Sequence, residues 1–476
     1  MVGKAVIAFS QVIILARLLT PEEIGLVALC LTVLNTAQII SDLGLSSALI
    51  HYQDVTDEEL DSLFWLNVVC GLVLSVSLLA LSPIIASFYR KPDLTVLIAL
   101  SSAYFLIWSL GAQQRVLAEK SLNFKVLSYV EVGAFAAAFV VTITSAVAGL
   151  GPASVVLGFI FNSVVNTVSA WLILSNGRLP RLRFSISEIQ RFWKFGLEAL
   201  GVSLTNTLAL QSDVIVAGRG FSASTVGAYF QPRELVLRLM FVINPIITRV
   251  ALPLMASARN DKTRIKRIYL QALRMTASTN FPLYLFISAF SYDIVFILFG
   301  SKWVTSAPLL RLLGLWCAFR SVGNPVGSLL LAVGETRRGL FSASIVMVSL
   351  FAVESLAVRF GVQVLVKVLI GFYIVCIPSF WAFLVAPSCG AGFLEYHKQI
   401  VVPAIIAAVS VGFSSIALYV LQPHYLDVQD WWTSLARIAT GGAICATIYL
   451  TISYFFNKQW VEAILEFVGR RVPGSN

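Results

Sequence analysis

Long apolar runs, broken by glycine, proline and clusters of charge, set the pattern of this chain. A spanning helix needs roughly 20 apolar residues. The runs predict fourteen such helices, at 3–18, 24–49, 63–89, 94–116, 127–148, 152–175, 193–218, 226–254, 270–298, 307–332, 339–358, 363–386, 400–421 and 432–456. The fold class that follows is all-α, a polytopic membrane protein. Helices 7 and 8 are the least apolar of the set. The first run is short and leads into Leu15-Ala16-Arg17-Leu18-Leu19 rather than a small-residue cleavage site, so it reads as a slightly clipped spanning helix and not a signal peptide. The largest connections, 176–192 and 255–269, are basic and too short to hold a domain. Function is therefore expected inside the helical bundle.

Composition agrees. The chain is 58% hydrophobic and only 12% charged, about half the charge of a soluble domain, and its mean hydropathy is +0.86. A soluble enzyme, a disordered chain and a nucleic-acid-binding domain are excluded. The net charge of +10 is explained by position. Alternate connections, starting at the N-terminus and including both basic ones and the Arg470-Arg471 tail, carry 20 of the basic residues counted in connections. The opposite set, Arg17, Arg90, Lys91, Arg219, Lys302 and Arg359, carries 6. That bias predicts both termini in the cytoplasm. One inner connection runs against it: 54–61 holds Asp54, Asp57, Glu58, Glu59 and Asp61. The six cysteines form no Cys-x-x-Cys pair and read as packing residues. His51, His397 and His424 are far apart, and no metal site is predicted.

The chain repeats internally. Ala16-Arg17 through Gly25 matches Gly218-Arg219 through Gly227, with Arg and Gly eight apart in both. Phe105 to Gly111 resembles Phe319 to Gly323 with its upstream Trp316. These matches predict two six-helix lobes related by a parallel repeat about an axis along the membrane normal, plus two extra helices. The divisions are an N-lobe at 1–175, a basic cytoplasmic linker at 176–192, a C-lobe at 193–386, and the extra pair with a tail at 387–476.

Residues Leu15 to Leu29, Ser41 to Ile50, Arg181 to Ile189 and Phe195-Gly196 resemble the polysaccharide-exporter branch of the multidrug/oligosaccharidyl-lipid/polysaccharide flippase superfamily. The resemblance spans nearly the whole chain. It implies Wzx-type movement of undecaprenyl-pyrophosphate-linked saccharide units, for O-antigen, capsule or exopolysaccharide, from the cytoplasmic to the periplasmic leaflet of the bacterial inner membrane. It also implies alternating access around a central cavity, with no catalysis, and polysaccharide assembly proteins as partners.

Charge at bilayer depth marks where such a substrate would be held. The eight basic residues that remain once those of the connections are counted fall at Arg233 and beyond. Arg233, Arg238, Arg249, Arg274, Arg311 and Arg320 are the candidate pyrophosphate contacts, because a planar guanidinium takes two oxygens at once. On an ideal helix Arg238 and Arg249 are nearly eclipsed and about 16 Å apart. The competing reading pairs Arg238 with Glu234, four residues away. Asp213, Glu131, Glu198, Glu234 and Asp42 are candidates for proton or sodium coupling or for charge balance, with the membrane potential as the alternative drive. Trp108 and Trp316 lie mid-helix, for packing or for stacking on sugar.

Two other functions compete. A cation-coupled multidrug exporter would want an acidic, aromatic cavity, and the cationic second half argues against it. A membrane glycan polymerase or ligase would need a large outer loop with catalytic groups, and the outer loops are short.

Overall fold

Apolar side chains on every face, rather than on one stripe, make these helices stable only where lipid or other helices surround them. The computed structural model, which describes residues 2–175, 177, 179–421, 430–458 and 460–462, is helical throughout its described elements. In chain order these are α1 (Val2–Leu18), α2 (Pro21–Asp42), α3 (Leu45–His51), α4 (Asp57–Tyr89), α5 (Leu94–Lys120), α6 (Phe124–Val147), α7 (Ala153–Ser169), α8 (Ile186–Gly220) and α9 (Ala223–Ser257). Then come α10 (Lys262–Ala289), α11 (Ser291–Phe299), α12 (Ala307–Ser321), α13 (Asn324–Val333), α14 (Thr336–Ala357), α15 (Val362–Phe380), α16 (Ala386–Cys389), α17 (Phe393–Leu421) and α18 (Trp431–Phe456). Arg178, His424, Arg470 and Arg471 lie outside the described residues.

Among the described residues eleven helices are long and apolar enough to cross a membrane, or twelve if the bent pair α10–α11 is one span. The remaining predicted runs are helical but short or interrupted. The Val6–Leu18 stretch of α1 is short. The predicted helix at 307–332 is two helices, since the chain breaks at Val322-Gly323 and restarts with Pro325 in the first turn of α13. Proline has no N–H to continue the previous helix and fits the first turn of a new one. Lipid exposure is direct on α4, where Val69, Leu72, Val73, Val76 and Leu79 line one outward face. That much contiguous apolar surface is unsuited to water.

The helix starts are written locally. Thr20 and Glu23 cap α2 reciprocally, with Glu23 accepting from the Thr20 N–H at 2.8 Å. Thr56 and Glu59 do the same for α4, at 2.9 Å. Both are capping boxes.

The chain packs as two compact units. Unit 1 holds residues 1–230 and 343–359, and unit 2 holds 231–342 and 360–476. The repeat reappears in three dimensions. Helices α7 and α15 each run on into a π-helical turn, Ala170–Leu174 and Trp381–Val385. Each turn contains a tryptophan whose indole N–H donates to a backbone carbonyl, Trp171 to Leu110 at 2.8 Å and Trp381 to Ala391 at 2.9 Å.

The Arg–Gly corners found in the sequence meet within unit 1. A Cβ at Gly25 would lie 1.9 Å from the Ala223 oxygen, and one at Gly227 would lie 1.8 Å from the Pro21 oxygen. The two backbones therefore touch where α2 and α9 cross. Beside this crossing is a cavity of about 420 Å³ lined by Glu22, Arg90, Asp93 and Arg219 among others. Lys91, also on its wall, donates to the carbonyls of Tyr89, Gly218 and Phe221 at 3.1, 2.8 and 3.0 Å. Burial pushes its ammonium below the ordinary lysine pKa. At the other end of α2, Gly44 (φ +70°) crosses Gly196 of α8, where a Cβ would lie 2.0 Å from the Gly196 oxygen.

Candidate substrate-binding groups

In unit 2, α9 carries three charges within two turns. Arg233 is only 1% exposed, and its guanidinium meets the Glu234 carboxylate at 3.3 Å. Arg238 meets the other oxygen of the same carboxylate at 3.6 Å. The i,i+4 pairing weighed from the sequence as the competing reading is present, and the same carboxylate also meets Arg233. Arg249 is exposed, with Pro245 in the helix between it and Arg238. Arg320 ends α12 just before the break. It donates to the Tyr373 hydroxyl on α15 and lies over the rings of Trp316 and Tyr373, at 5.1 and 5.2 Å. Those neighbours are neutral, and cation–π contact leaves the formal charge in place.

Arg274 and Arg311 sit apart from that group. Arg274 donates to Asn457 Oδ1 at 2.7 Å and to the Phe456 carbonyl at 3.1 Å, which satisfies the C-terminal end of α18. Arg311 is exposed on α12. Arg437 pairs with Asp293 at 3.3 Å and ties α18 to α11.

The acids of unit 1 have their own arrangement. Asp213 is 3% exposed; it accepts from the Tyr229 hydroxyl and from the Val214 N–H at 2.9 Å. Its neighbour Ser212 donates to Glu354 at 3.0 Å, and Glu354 is 1% exposed. Two carboxylates, from α8 and α14, are thus buried beside adjacent residues of one helix. Asp42 accepts from Ser46 at the end of α2, a local turn contact. Glu198 is exposed on α8, and Glu131 is half-buried on α6. Among the described residues no group of three His, Cys, Asp or Glu is placed to hold a metal.

Arg115, near the end of the predicted 94–116 helix, was not among the candidates. It lies inside α5, 7% exposed, 3.6 Å over the Trp108 ring, and donates to the Trp108 carbonyl at 3.0 Å. The seven-residue spacing, two helical turns, was the available signal. Trp108 and Trp316, which the repeat matches, therefore each hold an arginine. Asn244 and Asn280 of unit 2, hydrogen-bonded at 2.9 Å and almost fully buried, were also missed, because nothing local marks them.

Residues 14–308, well over half the chain, match the family described as "Polysaccharide biosynthesis protein". The chain belongs to this family. It is 32% identical over 322 residues to the lipopolysaccharide biosynthesis protein WzxC of Escherichia coli, covering 68% of this chain and 65% of that one. It is 28% identical to the teichuronic acid biosynthesis protein TuaB of Bacillus subtilis, over 88% of this chain and 86% of that one. In fold it is similar to a solved structure of the lipid II flippase MurJ in an inward closed conformation. That match has a TM-score of 0.76 at 13% identity and covers 96% of this chain and 97% of that one. It also resembles an inward-facing multidrug resistance transporter of the MATE family, with a TM-score of 0.61 at 17% identity, over 86% of this chain and 95% of that one.

Proposed function

We propose that this chain is a flippase that carries undecaprenyl-pyrophosphate-linked saccharide units from the cytoplasmic to the periplasmic leaflet of the bacterial inner membrane by alternating access. The observation that carries the reading is the set of guanidiniums that α9 and α12 of unit 2 carry within apolar helices. Arg233 and Arg238 share one carboxylate, and Arg320 is held by neutral groups. Charge within membrane-spanning helices is costly and marks substrate pathways, and a guanidinium fork matches the oxygens of a pyrophosphate. Family membership and the names of the relatives support the same reading. The multidrug likeness extends to the fold alone. The basic bias supports a cytoplasmic position for both termini, which a reporter fused at Asn476 tests directly.

The lipid tail needs an apolar path. Unit 2 has a groove of about 590 Å³ whose walls include Phe281, Phe319, Ile374, Pro378, Ile400 and Ile405. Among the described residues α17 forms one wall with α10, α12 and α15, and α18 contributes none. Asp213 and Glu354 are the groups for ion coupling, if coupling accompanies transport.

The experiment is export in cells. Arg238→Ala and Arg320→Ala are expected to abolish export at normal membrane levels, with Lys restoring part of it, since an ammonium keeps the charge and loses the fork. Wild-type export by both alanine variants would contradict the cationic site.

A further inference from the structure

The acidic connection at 54–61 is unexplained by topology, because acids weigh little in the basic-residue rule and nothing in that rule calls for five of them. The structure gives them partners. Arg191, in the second turn of α8, donates to Glu59 at 2.5 Å, reaches the Asp54 carboxylate at 3.6 Å, and donates to the Asp54 carbonyl. Arg183 pairs with Glu188 at 2.9 Å and comes within 3.9 Å of Glu58. Ser62 of α4 joins the two sides, donating to Glu188 at 2.5 Å and accepting from the Ser185 N–H at 3.1 Å. Beneath the charges lies an apolar seal in which Leu45, Leu49, Leu60 and Leu63 pack against Ile189 and Phe192.

We infer that the 54–61 segment and the basic segment 181–191 form an ion-pair latch, which holds the cytoplasmic end of α8 against α3 and α4 and must release for this face to open to substrate. The opening step rests on the transport reading above; the latch itself does not. Its strength suits a reversible contact. The Arg183 and Arg191 side chains are 55% and 34% exposed, so water and salt compete for them, and such pairs are individually weak. Arg233, at 1% exposure, has no such freedom. Glu59 has two duties, because the oxygen that accepts from Arg191 also closes the capping box of α4. Glutamine can fill the cap without the charge, so the duties are separable.

The test places a single cysteine at Leu49, which is 4% exposed in the seal, in a chain whose native cysteines are replaced, and follows its labelling by a water-soluble maleimide without substrate. Glu59→Gln and Arg191→Glu are each expected to speed labelling by about threefold, the scale of one half-exposed ion pair lost. Glu59→Arg combined with Arg191→Glu is expected to label more slowly than Arg191→Glu alone, while the lost cap and the Asp54 carboxylate beside position 191 keep it above the parent rate. A cysteine at Leu329, 0% exposed in unit 2, is expected to stay protected throughout, which separates opening from unfolding. Unchanged labelling at Leu49 in the single variants would overturn the latch. So would a charge swap that labels as fast as Arg191→Glu, or a rise at Leu329 equal to that at Leu49. None of these readouts depends on transport, so loss of the latch and loss of the flippase reading are told apart.

Discussion

Gly227→Ala is expected to abolish export and to lower the thermal midpoint of the purified protein sharply, and Gly25→Ala to do the same. The new methyl would sit 1.8 Å from the Pro21 oxygen in one variant and 1.9 Å from the Ala223 oxygen in the other. Both obstacles are backbone, so no rotamer change relieves them, and the α2–α9 crossing must separate. Overpacking alone costs about 1–3 kcal/mol, and a backbone clash of this depth belongs at or above the upper end. Gly133→Ala and Gly201→Ala provide the comparison. Both glycines lie within helices and have open space where a Cβ would go. Alanine there is expected to be neutral or to stabilise by about 0.5–1 kcal/mol, the helix cost of glycine. Thermal unfolding in detergent reads all four.

The second large effect is at Arg233. Its side chain is among the largest fully buried ones and is ion-paired to Glu234. Truncating one member of a buried pair typically costs about 3–5 kcal/mol. Arg233→Ala is therefore expected to reduce folded protein in the membrane, whereas Arg238→Ala, at a 34% exposed side chain, leaves its amount normal and removes export. Glu234→Gln should resemble Arg233→Ala in stability, because it leaves two guanidiniums without their shared carboxylate. Normal amounts and an unshifted thermal midpoint for Arg233→Ala would show that the buried pair does not hold this part of α9.

Much of the fold was legible because a bilayer imposes a simple rule on sequence: each spanning helix must be apolar over its length. The capping boxes at Thr20 and Thr56 were equally local. What the sequence hid was tertiary. Arg115 sits five residues from the end of α5, where charge looks like a loop, and its burial depends on a ring two turns away. The break before Pro325 was absorbed into a long apolar run. Gly25 and Gly227 were visible as a repeat, yet only three dimensions show that they lie at one crossing. The pairing of Arg238 with Glu234 was legible as a competing reading, whereas the sharing of that carboxylate with Arg233 depends on rotamers that spacing does not fix. The acids at 54–61 broke the charge pattern because their partners lie more than 120 residues away.

The energetics of transport follow from charge. A pyrophosphate carries about two negative charges outward, and a potential of 100 mV, inside negative, favours that by roughly 4.6 kcal/mol if the charges cross the whole field. Arginines that move with the substrate reduce the effective charge, and an ion bound at Asp213 would change it again. Asp213→Asn is expected to be tolerated if the potential alone drives transport. Translocation lost in that variant and indifferent to the potential would reject that drive and favour ion coupling.

The central claim is tested most directly by reconstituting the purified chain into vesicles with an undecaprenyl-pyrophosphate-linked saccharide labelled on its sugar, and following how fast the label becomes accessible to an impermeant reagent across the bilayer. The expected result is rapid exposure with the wild-type chain, faster when the potential is imposed, and only the protein-free background with Arg238→Ala. Exposure with the wild-type chain no faster than in protein-free vesicles, from a preparation that remains folded, would contradict it.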